Sequence, residues 1–187
     1  MKFQIFYQFY HSPVGKLLLI ANQTGLLGIE FEQEQQTLNL QQWKSSEQAS
    51  GEIQQLFCKT VQVLDRYFSG EKVAFCQLDF LNPQGTAFQQ AVWEILLEIP
   101  YGKTVSYRDI AKQLNNPNAV RAVGGAVGRN PISILIPCHR VLGKTQALTG
   151  FGGGLPAKRY LLELEGISYQ NKGTEFVNPK HKKWTSI

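Results

Sequence analysis

Apolar residues change their period part-way along this chain, and that change limits its fold more than any other feature. Phe3, Ile5, Tyr7 and Phe9 alternate with polar neighbours, which is the period of a half-buried strand. Residues 16–21 and 26–31 read as a hairpin around Asn22-Gln23-Thr24-Gly25. Residues 32–50 are rich in Gln, Glu and Ser, show no period, and are expected to form a mobile loop. From residue 52 the spacing becomes helical through Ile53, Leu56, Phe57, Val61, Leu64 and Phe68, with Gly70 as the stop. The first 80 residues therefore predict a small sheet carrying one helix.

Residues 79–85 contain Asn82-Pro83 and Gly85, which disfavour helix and mark a linker. Thr86-x-x-Gln89 is a capping-box signature for a helix with Phe88, Val92, Trp93, Leu96 and Ile99 on one stripe, ended by Pro100. Ser106-x-x-Asp109 opens a second helix, and Asn115-Asn116-Pro117-Asn118 breaks it, with Asn118 placed to cap a third that runs to about residue 128. Two short helices across such a turn make a helix-turn-helix. The third helix is built of small residues, Ala119, Ala122, Gly124, Gly125, Ala126 and Gly128, around one long side chain, Arg121. Interior glycine costs about 0.5–1 kcal/mol relative to alanine. Tight helix packing or close approach to an external surface would each account for the composition. Downstream, residues 132–136 predict a short strand leading into Pro137-Cys138-His139-Arg140-Val141, then a loop at Phe151-Gly152-Gly153-Gly154 and a helix over 156–165 stopped by Gly166. The remainder, with Lys180, His181, Lys182 and Lys183, predicts a disordered, phosphate-attracting arm. Three units result: 1–80, 81–170 and a basic polar tail, 171–187.

Charge follows the same division. Residues 1–80 hold 6 Lys/Arg against 8 Asp/Glu, and residues 81–187 hold 13 against 6. A basic half on a mildly acidic one points to a polyanion partner, of which nucleic acid is the commonest. No apolar run reaches the ~18 residues that cross a bilayer, and the N-terminus lacks the apolar core of a signal peptide. The three cysteines, Cys58, Cys76 and Cys138, form no C-x-x-C pair. A soluble protein of the reducing cytoplasm, without a disulfide framework, is expected.

Only a thiolate attacks, so a reactive cysteine needs a base or a cation close by. Cys138 has His139 and Arg140 beside it, whereas Cys58 and Cys76 read as inert. Glu165 stands in the last turn of a helix, where the macrodipole disfavours a carboxylate. It is either a solvated surface group or one held by a partner. A His between a thiol and a carboxylate would be fixed in one tautomer, able to accept the thiol proton directly or through one water.

Ile136-Pro137-Cys138-His139-Arg140-Val141, preceded by Arg121-Ala122-Val123-Gly124-Gly125-Ala126 and Gly128-Arg129-Asn130-Pro131, resembles the O6-alkylguanine-DNA alkyltransferase family. Gly85-Thr86-Ala87-Phe88-Gln89, Val92-Trp93, Ile99-Pro100 and Val105-Ser106-Tyr107 match its pattern as well, so the likeness spans residues 80 to 166. The resemblance implies an α+β protein, a ribonuclease-H-like sheet-and-helix domain followed by a helical, winged-helix-like DNA-binding domain that carries the active-site cysteine. It implies direct-reversal DNA repair on double-stranded DNA by a monomer that needs no cofactor. Cys138 would accept the alkyl group once and irreversibly. His139 would act as its base through a water, Glu165 would orient His139, and Tyr107 would give a proton near guanine N3. Arg121 would enter the stack in place of the extruded base. Tyr107, Ala119, Ala122, Gly124, Arg129 and Arg140 would face DNA. Asn130, Pro137, Val141, Leu148, Phe151, Gly152, Gly153 and Lys158 would build the pocket. The assignment expects an ionised sulfur at the mouth of a cavity sized for a swung-out purine.

Two departures stand out. Gly152 lies where many relatives carry a hydroxyl or small side chain, which predicts a roomier pocket tolerant of bulkier alkyl groups or of O4-alkylthymine. His11, Cys58 and Cys76 are too few for the four ligands of the zinc site found in some relatives, so no structural metal is expected. Two other readings fit parts of the pattern. A non-catalytic helix-turn-helix protein for lesion recognition or regulation would lack the acceptor cysteine, and a Cys-His hydrolase would turn over repeatedly.

Overall fold

The computed structural model describes residues 3–171 and 175–177. Its first layer is the predicted sheet: β1 (Phe6–Ser12), β2 (Gly15–Asn22) and β3 (Gly25–Phe31) pair antiparallel in sequence, Phe6 opposite Ala21 and Leu17 opposite Phe31. Gly25 sits at φ +137°, and a Cβ there would stand 2.6 Å from the Phe80 carbonyl oxygen. The chain at 80–82 lies that close because Leu26 donates its N–H to Phe80 and Asn82 donates to Leu26, both at 2.8 Å. The expected linker is thus pinned along the sheet.

Residues 32–50 are also more ordered than their lack of period suggests. They form three 3-10 turns and a two-residue strand, β4 (Lys44–Ser45), parallel to β1. Local side chains replace periodicity here: Asn39 accepts from the Gln41 N–H and Ser45 from the Glu47 N–H. Helix α1 (Gly51–Phe68) then lays Ile53, Phe57, Val63, Leu64 and Tyr67 on the sheet.

Both capping boxes form. Thr86 and Gln89 satisfy each other's backbone at the start of α2 (Ala87–Glu98), and Ser106 and Asp109 do so for α3 (Tyr107–Gln113). Helix α4 (Val120–Gly128) differs from expectation at its start: Ala119 is the cap, with no side-chain cap bond. Asn118 is enclosed in the turn closed by the Ala119 N–H on the Asn116 carbonyl, 3.0 Å, so it is not positioned as the cap. A short parallel pair, β5 (Val105–Ser106) with β6 (Val141–Leu142), and helix α5 (Gly154–Leu164) complete the second half.

The predicted strand over 132–136 is absent. Asn130 donates from Nδ2 to the Ile136 carbonyl at 2.8 Å and accepts the Ile132 N–H at 3.1 Å, curling the segment on itself with Ile134 at φ +73°. A β-branched residue at positive φ is held only where its surroundings over-determine it. Here single bridges tie the loop to β3 at Ile29 and to itself at Ser133 and Ile136. The tail expectation is overturned at Tyr169–Asn171 and Glu175–Val177, which pair as an antiparallel hairpin, β7 and β8. Lys180, His181, Lys182 and Lys183 lie outside the described residues. One apolar core runs through both halves, joining Leu19, Ile29, Phe57 and Tyr67 to Trp93, Ile110, Val123 and Ile134. No helix among the described residues is long and apolar enough to cross a membrane.

Candidate active site

Pro137 ends the curled loop, and the chain makes a single 3-10 turn, Cys138–Arg140. Such a turn sends successive side chains in different directions, so three adjacent residues take three environments. Cys138 lines a cavity of about 290 Å³ together with Tyr107, Gly124, Asn130, Ser133, Phe151, Gly152 and, from the N-terminal half, Glu34. His139 and Arg140 point instead into the protein and are fully buried.

The interior side of the turn is a polar cluster around Glu165, the residue that ends α5. Its Oε1 is 2.8 Å from His139 Nε2, and it accepts from Tyr67 Oη at 2.7 Å and from Arg140 Nη2 at 2.9 Å. Its Oε2 accepts from Arg140 Nε and from the Gly102 N–H, both at 3.0 Å. The partner that the helix terminus calls for is therefore present several times over, and the solvated reading of Glu165 falls. With Nε2 committed to Glu165, His139 Nδ1 is buried without a hydrogen-bonding side chain or backbone group among the described residues.

Arg140 corrects an expectation. The resemblance implies that it faces DNA, but it is 1% exposed and also donates to the Ile99 carbonyl at 2.5 Å, so no DNA phosphate can reach it. Its guanidinium balances Glu165 inside the fold. Tyr67 is the member of the cluster that sequence reasoning missed. It belongs to α1, far away in the chain, and the only signal was an aromatic on the buried stripe whose hydroxyl would need a partner. Tyr67→Phe keeps the ring and removes that donor, and it is expected to lower stability by about 1 kcal/mol. Urea unfolding measures this, and an unchanged midpoint would count against the bond.

The electrostatics are set by burial. Desolvation pushes the Cys138 thiol up, with the Asn130 side chain and Lys158 pulling the other way. The resting sulfur is thus a thiol, contrary to the ionised form expected. Burial pulls His139 down and leaves it a neutral imidazole at pH 7, in spite of the Glu165 charge. Burial also works against the Glu165 anion, but His139 and Arg140 outweigh it and hold that carboxyl down at about 2. Desolvation brings Lys158 down to about 8.

The remaining pocket residues divide into wall and support. Lys158 donates to the Val141 carbonyl at 2.7 Å and the Thr149 carbonyl at 3.2 Å, bracing both sides of the loop. Leu148 packs behind, with Leu142, Leu162 and Ile167. Phe151 meets Phe31 of β3 edge-on at 5.3 Å, and a Cβ on Gly153 would stand 2.6 Å from the Phe31 ring. Tyr107 shares a hydrogen bond with Thr149 Oγ1 at 2.9 Å across the mouth. Gly152 does not open the extra room predicted for it, because the Glu34 carboxylate lies against its backbone, where a Cβ would be 2.9 Å from Glu34 Cδ.

Helix α4 flanks the cavity. Val123, Ala126 and Val127 are buried, and Trp93 Nε1 donates to the Ala126 carbonyl at 2.9 Å, anchoring the helix to α2. Its other face exposes Arg121, Ala122 and Gly128 and continues through Arg129, whose Nη1 folds back onto the Gly125 carbonyl at 3.1 Å. Ala119, Arg121, Ala122 and Arg129 line one shallow depression with Thr86 and Phe88. Gly124 lies on the cavity side, where a Cβ would just touch the Tyr107 ring. The small residues thus serve both alternatives left open by composition: Ala126 packs inside, and Ala122 leaves a low, accessible surface beside Arg121.

Comparison with known proteins agrees with this arrangement. Residues 5–81 match the model of the 6-O-methylguanine DNA methyltransferase ribonuclease-like domain, and residues 87–167 match that of the 6-O-methylguanine DNA methyltransferase DNA binding domain. A methylated-DNA–protein-cysteine methyltransferase of Haemophilus influenzae is 50% identical over 176 residues, 94% of each chain. One of Methanosarcina acetivorans is 41% identical over 163 residues, 87% of this chain and 99% of that one. The crystal structure of Mycobacterium tuberculosis OGT in complex with DNA superposes with a TM-score of 0.74 at 41% identity, covering 86% of this chain and 93% of that one. With both halves of the chain matched, and relatives 50% and 41% identical over most of its length, the chain belongs to the 6-O-methylguanine DNA methyltransferase family.

Proposed function

We propose that this protein repairs O6-alkylguanine in double-stranded DNA by moving the alkyl group to Cys138, once per molecule. The observation that carries the reading is the placement of Cys138 on the wall of a cavity beside α4, backed by a His whose far nitrogen is already fixed by a buried carboxylate. The step is one in-line displacement: the Sγ–carbon bond forms as the carbon–O6 bond breaks, and the electron pair stays with the guanine. His139 Nδ1 takes the thiol proton through one water, which a neutral imidazole can do and an imidazolium cannot. The Tyr107 hydroxyl supplies a proton at guanine N3. Asn130 and Lys158 favour the thiolate as it develops, while burial keeps the sulfur protonated and unreactive until a base fills the cavity. The thioether has no hydrolytic exit, so the protein works stoichiometrically.

A base inside a duplex cannot reach Cys138, so the nucleotide must be extruded at a cost of a few kcal/mol. The exposed Ala122 and Gly128 let α4 approach the minor groove closely, and Arg121 fills the gap in the stack. Arg129 and exposed lysines of the second half such as Lys112 hold phosphates, which makes binding steeply salt-dependent and nearly blind to sequence. Incubation with methylated duplex followed by peptide mass analysis tests the assignment. One added methyl on the Cys138 peptide is expected, and label elsewhere or repeated turnover would overturn it. Arg121→Ala is expected to slow transfer from duplex DNA about 10- to 100-fold relative to transfer from the free alkylated base, because only the duplex needs an extruded nucleotide. Equal slowing on both substrates would remove Arg121 from this role.

A further inference from the structure

We infer that Glu34, a residue of the N-terminal half, is a specificity determinant of the alkyl pocket that excludes O6 substituents bearing a negative charge. The inference rests on the alkyl-transfer reading and concerns the same cavity. Glu34 follows β3 and reaches across to the active-site loop, where, among the described residues, it is the one charged side chain lining the cavity with Cys138. Its carboxylate fills the space that a side chain at position 152 would take: a Cβ there would stand 3.1 Å from Oε2 and closer still to Oε1. The two groups exclude each other, so glycine at 152 and glutamate at 34 form a matched pair.

Glu34 is also held in place. Its Oε2 accepts the Phe31 N–H at 3.2 Å, its own N–H donates to the Phe31 carbonyl at 2.9 Å, and Phe31 is locked against Phe151 of the same loop. The neighbouring Glu30 carboxyl, hydrogen-bonded to Glu34, is pushed up to about 7 by burial and by the Glu34 charge.

The alkyl carbon must touch Cys138 Sγ, so whatever lies beyond that carbon enters the space that Glu34 borders. A methyl group ends at the sulfur. A neutral chain meets only a steric wall, but a carboxymethyl group would bring a second anion up to the Glu34 carboxylate. Repulsion between like charges in close proximity separates rates by roughly 10- to 100-fold.

The test measures single-turnover transfer from duplexes carrying O6-carboxymethylguanine and O6-propylguanine, two substituents of similar size and different charge, with O6-methylguanine as reference. The readout is the carboxymethyl-to-propyl ratio within each protein, so a general loss of rate cancels. In the wild type the ratio is expected to be low, and Glu34→Gln, which keeps the shape and removes the charge, is expected to raise it at least about 10-fold. Gly152→Ser, which must displace the carboxylate, is expected to move the ratio the same way and provides an independent test if Glu34→Gln folds poorly. An unchanged ratio in either folded variant, or propyl and carboxymethyl rising together, overturns the proposal. Failure of the wild type to methylate Cys138 from O6-methylguanine overturns the repair reading instead.

Discussion

Cys138→Ser is expected to give a folded protein that binds methylated duplex DNA and removes nothing from it. Serine has nearly the shape of cysteine, but its hydroxyl ionises far above any pH the His139 imidazole can serve, and removal of a nucleophile typically costs a factor of about 10⁴ or more. The surrounding machinery stays intact: Arg121 and Ala122 remain on the exposed face of α4, and Asn130 still closes the loop that presents position 138. Binding and chemistry should therefore separate. Gel-shift titration at several salt concentrations measures the first, and the O6-methylguanine left in the duplex after a long incubation measures the second. Lesion loss at the wild-type rate would place the acceptor elsewhere and require a different mechanism.

Glu165→Gln is expected to damage stability and rate together, because one carboxylate serves two purposes. Arg140 would be left a buried cation without its counter-ion, and breaking such a pair from one side costs about 3–5 kcal/mol. His139 would lose the acceptor that fixes its ring, and alkyl transfer should slow by at least about 100-fold. A double variant, Glu165→Gln with Arg140→Met, separates the two effects: it should regain much of the stability and none of the rate. Equal recovery of both would mean that Glu165 acts through the fold alone. The same group sets an acid limit. Its carboxyl is held at about 2, below the ordinary 4.5, so its stabilisation of about 3 kcal/mol is fully present above pH 4.5 and is lost as pH falls through 2. Burial of neutral His139 acts in the same direction, since the unfolded chain gains a proton near pH 6.5 that the folded protein resists. Acid unfolding of the wild type should show both losses, and Glu165→Gln should lack the lower one.

Much of this was legible along the chain because it depends on local physics. The hairpin turn after residue 21, the two capping boxes and the helical stripe from Ile53 are neighbour relations within a few residues, and each appears in the fold. The alternation over residues 3–9 marks a strand, but β1 begins at Phe6 and buries Phe6, leaving Phe3 and Phe9 exposed. The failures are equally physical. The β-branched run 132–136 has the propensity of a strand, but the Asn130 side chain satisfies the Ile132 and Ile136 backbone groups first and leaves no edge to extend. The polar stretch 32–50 has no period because its order comes from side-chain caps and a two-residue pairing with β1.

Sequence alone singled out the adjacent Cys138 and His139, the basic half and the helix of small residues, since these are matters of residue type and spacing. Tertiary structure decided which way each side chain of the Cys138–Arg140 turn faces, and so took Arg140 from DNA and gave it to Glu165. It brought Tyr67 and Glu34 from the N-terminal half to opposite sides of that turn, one behind the imidazole and one in the cavity. It also made the resting sulfur a thiol. Burial and the charges of residues distant in sequence set the environment of an ionisable group, and neither exists until the sheet and the helices share one core.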